Sequence, residues 1–563
     1  MLHAASRLPL VSRIARGLGS PRAPWVILAL SLLLLAPSLG GRLLLDDYVL
    51  ALKARGSTGL PGLDAEPLWL FTFTTGRPAQ NRQLMDGGVL LPWWTEPRHL
   101  NAFFRPITSL THDLDFALWP RAVWLMHLHS LAWYALLVLG VAYVYRRYAR
   151  AASEPASLAA FALLVFAVDD AHGPTVAWIA NRNAIVAAAL ALPALSFLQR
   201  ARSERHRAGV LLGPACFALG LCAGETALSI FGYVLAYFVC LDRGPMRGRV
   251  LALAPYVIVI FAHRAVYHAL GLGSFGSGAY HDPGQEPLGF ALGLIEHVPV
   301  LLSAQLSLPL ADNWFWGPAA QQNAIWVFSV LCTLGFAVLG HVLLRRDREA
   351  RFWMIGMVLS ACAVAASLPG ERLLLVPGVG GAAFMAKLIA ALHTRLRTAP
   401  VLAEPRRRFA AALWLPKLVL GVLVFLHLIA APLLLPLRVG SMGALHAAMA
   451  RVDASVPRSP DIQERTLIVL NAPFDIGCSY LQPARQAQGV PRPAHVYWLA
   501  VASSPLELTV VDDHTLSMRP ERGFLLSEPE RHYRSDPRRL APGTHVQLSE
   551  MDVEIVDSTA DRR

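Results

Sequence analysis

Residues Ser157–Arg207 read SLAAFALLVFAVDDAHGPTVAWIANRNAIVAAALALPALSFLQRARSERHR, and the order of apolar, acidic and basic groups in them decides the fold. A first apolar run ends at the acidic pair Asp169 and Asp170. A second, Pro174 to Leu198, stops at Arg200, Arg202, Arg205 and Arg207. A helix needs about 20 residues to cross roughly 30 Å of hydrocarbon. Lys and Arg are retained on the cytoplasmic side, so the basic groups orient the segment. The stretch therefore reads as a membrane hairpin that runs outward, turns at a short acidic loop and returns to the cytoplasm.

The same pattern extends in both directions. Upstream, Arg7, Arg13, Arg16 and Arg22 precede an apolar helix from Trp25 to Leu39. No small-residue cleavage site follows Leu39, so this reads as a retained signal anchor with a cytoplasmic amino terminus. It delivers Asp46 and Asp47 to the outer face. A long outer loop, 41–121, contains Trp93, Trp94 and, between Asn101 and Trp119, a short amphipathic helix suited to the membrane interface. A helix from Val123 returns inward to Arg146, Arg147 and Arg150.

Downstream, Leu211–Ala223 and Thr226–Leu241 form an outward and inward pair with Glu225 near the outer turn. Val250–Leu270 goes out, to a Gly-rich loop with Tyr280, His281 and Asp282. Ile325–Leu344 returns to Arg345, Arg346 and Arg348. Trp353–Leu368, Leu373–Leu392 and Leu413–Leu435 then alternate out, in and out. The apolar stretch Leu288–Leu310 carries Glu296, His297, Pro299 and Pro309, and parity makes it an outer re-entrant or interfacial helix. The expectation is an all-α polytopic membrane protein of about eleven transmembrane helices with every basic cluster between helices inside.

Composition changes after about Arg451. Thr466–Leu470, His495–Val501, Leu506–Val511, Thr544–Leu548 and Asp552–Val556 alternate or are rich in β-branched residues between turn formers. The expected division is a transmembrane domain, 1–450, and a small C-terminal β-rich extracytoplasmic domain, 451–563.

With 55% hydrophobic and 16% charged residues, the 563-residue chain departs from soluble composition. Its net charge of +12 sits at helix ends, without the basic face interleaved with exposed aromatics that marks nucleic-acid binding. Cys216, Cys222, Cys240, Cys332 and Cys362 lie in apolar runs and only Cys478 in the tail, so no disulfide framework or metal-spaced cluster follows.

The polar groups that these helices carry to the outer face are the candidates for chemistry. Two adjacent carboxylates at a low-dielectric boundary repel, which raises one pKa and suits Asp46 or Asp47 to general base catalysis; a solvated helix end is the bland alternative. Asp169 and Asp170 form a second pair, followed by His172. Arg182, flanked by Asn181 and Asn183, lies too far from a cytoplasmic end to snorkel inward and is expected to face a polar cavity. Arg105, Glu225 and Arg372 join this group, although Glu371–Arg372 also reads as a surface ion pair of little worth. His127 and His129 read as hydrogen-bonded helix histidines. There is no HExxH, GxxxxGK[ST] or GxSxG pattern. Arginines match phosphate geometry, so an outer-face acidic site beside them suits a sugar phosphate on a lipid carrier.

Four segments carry a resemblance. Residues 101–120, NAFFRPITSLTHDLDFALWP, are followed by an apolar helix; 166–183 read FAVDDAHGPTVAWIANRN; 221–227 read LCAGETA; and 370–384 read GERLLLVPGVGGAAF. In this order they resemble the GT-C fold glycosyltransferases, especially the tetratricopeptide-associated and protein O-mannosyltransferase group, whose corresponding patterns read AVHPxHxEAVAWIxGRxD, LxAKExA and ERYLYLPSxGF. Asp169–Asp170 stand where that group has His-Pro, Pro174 where it has glutamate and Gly224 where it has lysine. No tetratricopeptide repeats follow, which points to a bacterial relative with another acceptor.

The resemblance implies a transferase of the bacterial inner membrane that uses a polyprenyl-phosphate-linked sugar donor and a lipid, glycan or protein acceptor. A first-loop aspartate, Asp46 or Asp47, would be the catalytic base. Arg105, Asp169, Asp170, His172, Arg182, Glu225 and Arg372 would bind substrate or support the site, with no metal or other cofactor. Two other readings stay open: a glycolipid transporter or flippase, and an inactive scaffold of the same fold.

Overall fold

The computed structural model describes residues 9–315, 317–398, 414–502, 504–526, 528–536 and 540–559; Arg7 and Leu413 lie outside them. Among these residues seven helices are long and apolar enough to cross a membrane, and three shorter apolar helices, Ala156–Ala167, Gly209–Leu221 and Glu225–Cys240, accompany them. The chain is a helical multi-pass membrane protein. Its membrane core joins Leu35, Tyr134, Phe166, Ile185, Tyr233, Trp353 and Phe384 in one apolar cluster. Tyr148 stacks on Phe352 at 5.0 Å, so two helices distant in sequence share an aromatic contact.

The hairpin 157–207 differs from its expected form at one point. The second segment is broken: Trp178 is extended, and a helix His172–Ala177 gives way to a short turn, Ile179–Asn181, before Arg182–Ala191 and Pro193–Ser203 follow. A break frees backbone N–H groups that must find partners. Asp47 supplies one, its Oδ1 accepting from the N–H of Ala180 at 2.7 Å.

The apolar stretch after 286 folds as a helix, Pro287–Leu306, and is among the seven by length. Both its ends meet the same connection. Just before it, Tyr280 pairs with Ser367 and the N–H of His281 reaches the carbonyl of Ala366 at 2.8 Å. Just after it, the N–H groups of Ala311 and Asp312 donate to Glu371 at 2.5 and 3.2 Å. Residues 366–371 lie between the helices Arg348–Val364 and Pro377–Thr398.

The last apolar helix, Trp414–Ala454, is 41 residues long and includes a π-turn at Leu426–Ala430. At about 1.5 Å per residue it is about 60 Å long, roughly twice the hydrocarbon thickness. Its far end carries the tail onto the first loop. One apolar cluster contains Val49, Leu84, Trp93 and Trp94 from that loop together with Leu481, Tyr497 and Trp498 from the tail. Trp93 and Trp94 donate their indole N–H groups to the carbonyls of Leu499, at 3.0 Å, and Glu530, at 3.2 Å. Gly88 ends the helix Pro78–Gly87 at φ 63°, and a Cβ there would stand 2.0 Å from the carbonyl oxygen of Val496. Only glycine satisfies both the left-handed turn and the close approach.

Among the described residues the strands of the tail form three separate two-stranded sheets: Thr466–Val469 parallel to His495–Trp498, and the antiparallel pairs Leu506–Asp512 with Thr515–Pro520 and His545–Gln547 with Asp552–Glu554. Helices Asp475–Ser479 and Leu481–Gln488 are interleaved with them. A further antiparallel sheet, Thr72–Thr75, Leu100–Ala102 and Gly273–Phe275, ties the first loop to the Gly-rich loop.

The helix expected between 101 and 119 spans Pro106–Leu118. It is turned opposite to a soluble one. Leu110, Leu114 and Leu118 are exposed, whereas Thr108, Thr111, His112 and Asp115 are buried. A face of leucines directed away from the protein is what an interfacial helix presents to lipid.

Candidate active site

Asp46 and Asp47 open the helix Asp46–Ala54, entered through Leu45 at φ 51°, ψ −120°. Such a backbone is costly for a residue with a side chain and persists only where its surroundings impose it. Here the N–H of Leu44 donates to Asp47 Oδ2 at 2.9 Å while Asp47 Oδ1 holds Ala180, so Asp47 staples the entry of the helix to the broken hairpin. It is buried, and burial pushes its carboxyl up to about 8 against the pull of those two N–H groups.

Asp46, next along the same turn, is half-buried and points elsewhere. Its Oδ1 accepts a hydrogen bond from the hydroxyl of Tyr480, and its Oδ2 has no hydrogen bond among the described residues. Burial raises its pKa; the Tyr480 bond and then the charges of Arg372 and Arg105 oppose that rise.

The two arginines are held on aromatic faces. Arg105 lies over Phe103 at 4.4 Å and Phe71 at 4.9 Å and pairs with Glu225 at 2.8 Å. Glu225 also accepts from the Tyr267 hydroxyl, whose oxygen takes the N–H of Phe104 at 3.0 Å. Arg372 sits 5.8 Å over the ring of Trp178, the residue at which the hairpin breaks. The Tyr280 ring bridges Phe103 and His532, at 5.6 and 6.2 Å. Burial, and secondarily Arg372, pushes the His532 imidazole down to about 4, so it is neutral at ordinary pH. Asp46, bonded to Tyr480, thus lies within electrostatic reach of Arg105 and Arg372.

Asp169 and Asp170 belong to an adjoining group. Arg438 stands 2.8 Å from Glu371, 3.2 Å from Asp312 and 3.7 Å from Asp170. Burial, then Asp169, raises Asp170 to about 6, and burial holds the Glu371 carboxyl well above its usual range despite Arg438. Asp169 accepts from Gln305 at 2.9 Å and from the N–H of Ala171 at 3.0 Å. Glu371 thus pairs with Arg438 instead of with Arg372, and the group braces the turn Glu371–Leu373 from which Arg372 projects.

Two candidates lie inside the packing. His172 is buried against Phe166, with Nδ1 2.9 Å from the Tyr134 hydroxyl. Arg182 was expected to face a polar cavity, and the structure corrects this: its side chain is enclosed, paired with Asp115 at 2.5 Å and bonded to Ser130 Oγ at 2.9 Å and the Met126 carbonyl at 2.7 Å. A buried guanidinium needs a carboxylate and full hydrogen bonding, and the helix Pro106–Leu118 supplies Asp115. His129 Nδ1 also meets Asp115, at 2.7 Å. Among the described residues no group of three or more His, Cys, Asp or Glu is placed to hold a metal ion.

Tyr480, His532, Arg438 and Asp115 were not singled out from the sequence. Only Asp115 had a usable signal, since Arg182 requires a buried anion and THDLD, 111–115, offers two.

No protein-family model matches the chain, and no curated protein matches it. Among solved structures the chain is similar to ArnT from Cupriavidus metallidurans bound to undecaprenyl phosphate, at 16% identity over 85% of this chain and 90% of that one, with a TM-score of 0.38. It is also similar to the Archaeoglobus fulgidus oligosaccharyltransferase tethered with an acceptor peptide, at 9% identity over 85% of this chain and 64% of that one, with a TM-score of 0.39.

Proposed function

We propose that this protein is an integral-membrane glycosyltransferase of the GT-C fold that moves a sugar from a polyprenyl-phosphate donor to a lipid, glycan or protein acceptor at the extracytoplasmic face. The observation that carries this reading is the difference between the two adjacent aspartates. Both oxygens of Asp47 are occupied by backbone N–H groups, whereas Asp46 keeps Oδ2 open beside Arg105 and Arg372.

In this reading Asp46 Oδ2 takes the proton of an acceptor hydroxyl or amine, and the acceptor atom forms a bond to the anomeric carbon. The bond from that carbon to the phosphate oxygen breaks, and its electron pair leaves with the phosphate. Arg372 and Arg105 stabilise the charge that develops there. A carboxyl raised by burial is a stronger base than a solvated one. Asp169, Asp170, Glu225 and His172 act behind this group by fixing the arginines and the hairpin.

The topology that goes with it has about eleven crossings, with Pro287–Leu306 re-entrant, the amino terminus cytoplasmic and the tail outside a bacterial inner membrane. The tail from about 451 forms a domain that closes over the first loop.

The test is transfer of labelled sugar from a polyprenyl-phosphate donor by membranes carrying Asp46→Asn or Asp47→Asn. Loss of transfer with Asp46→Asn at unchanged protein level is expected. Full transfer by Asp46→Asn defeats the assignment of the base.

A further inference from the structure

At the opposite end of the bundle a groove of about 610 Å³ opens between the start of the first membrane helix, the inner half of Val123–Ala151 and the end of Pro193–Ser203. Its two ends differ chemically. Leu139 and Tyr143 line the part nearer the membrane centre, and Arg146, Arg147 and Arg150 line the part nearer the cytoplasm. From Leu139 to Arg150 the helix rises by about 16 Å, so the groove runs from hydrocarbon to headgroup depth. Trp25 and Tyr143 flank it with largely exposed rings, as aromatic side chains do at a membrane boundary.

The charges leave a surplus in this groove. Glu204 pairs with Arg147 and, at 3.6 Å, with Arg200. Glu154, on the far side of Arg146 and Arg150, is drawn to Lys387 at 3.3 Å. Arg146 and Arg150 have no carboxylate partner among the described residues, and Arg146 donates only to the Ser20 carbonyl at 3.4 Å. Guanidinium groups without a carboxylate partner match the oxygens of a phosphate.

We propose that this groove binds the phosphodiester of an anionic glycerophospholipid from the cytoplasmic leaflet, with its acyl chain along Leu139 and Tyr143. The occupant follows from the geometry: a charged end at the membrane surface continuous with an apolar end open to hydrocarbon accommodates a lipid, whereas a soluble phosphate would use only the arginine end. Basic recesses between membrane helices on this side are suited to such headgroups. The site is independent of the reaction at the outer face.

The experiment measures phospholipid retained by the purified full-length protein with native mass spectrometry, comparing phosphatidylglycerol with phosphatidylcholine. Preferential retention of phosphatidylglycerol is expected, and Arg146→Gln with Arg150→Gln should weaken it on the order of thirtyfold. Trp25→Phe, which leaves every charge in place, reports the position independently: brominated phosphatidylglycerol should quench the wild-type fluorescence more than that of the variant. Equal retention of the two lipids overturns the proposal. So does an equal loss with Arg345→Gln and Arg346→Gln, basic residues of the same face outside the groove, or displacement of the lipid by millimolar inorganic phosphate.

Discussion

The hydroxyl of Tyr480 donates a hydrogen bond to Oδ1 of Asp46 across 434 positions of the chain, so the tail reaches the carboxylate that follows the first membrane helix. The bond favours the ionised carboxylate and opposes the rise that burial causes. Removing it with Tyr480→Phe leaves the ring in place and should raise the Asp46 pKa further. A hydrogen bond to a charged group contributes about 1.5–3 kcal/mol, equivalent to roughly one to two pKa units. The acid limb of the pH–rate profile for sugar transfer should move upward by that amount. A merely structural tyrosine would lower the rate without moving the limb.

Asp47 should matter for stability more than for chemistry. Asp47→Ala leaves the buried N–H groups of Leu44 and Ala180 without acceptors, at about 1–3 kcal/mol each. Thermal unfolding in detergent should show the loss, and Asp46→Ala should show much less.

The same residue carries a pH signature. An unfolded aspartate titrates near 4, whereas the folded Asp47 is raised to about 8, so the folded state binds this proton more tightly. Its contribution to stability is greatest below about pH 4 and declines as pH rises toward 8. Asp47→Asn removes that decline. The wild-type melting temperature should therefore fall relative to that of the variant across this window, and parallel curves would refute the buried-carboxyl assignment.

Arg182 and Asp115 form an enclosed pair, and losing either partner strands a buried charge. Asp115→Leu or Arg182→Met should each destabilise by about 3–5 kcal/mol, and the double variant by less than either alone. A double-mutant cycle on thermal unfolding checks this. Full additivity would show that the two do not act as a unit.

Arg372 rests on Trp178 with a planar guanidinium that a lysine cannot imitate. Arg372→Lys keeps the charge and should lower transfer roughly tenfold, about 1.4 kcal/mol of transition-state stabilisation, with no change in melting. Unaltered transfer would remove Arg372 from the site.

The apolar helices of this protein are legible in its amino-acid sequence alone. An apolar run must be satisfied within its own backbone in a membrane, so this property is local. For the same reason the apolar runs of 157–207 and the helix between 101 and 119 were legible residue by residue, whereas the break at Trp178 was not. Tertiary structure decided which polar groups meet. Asp46 and Asp47 are adjacent and chemically alike, yet one is a backbone staple and the other an open carboxylate, because a broken hairpin approaches one and a tyrosine of the tail the other. Arg182 had the pattern of a site residue and found its anion inside the packing, while Arg372 projects from a turn braced by Arg438. Those pairings join segments tens to hundreds of residues apart, and no local periodicity encodes them.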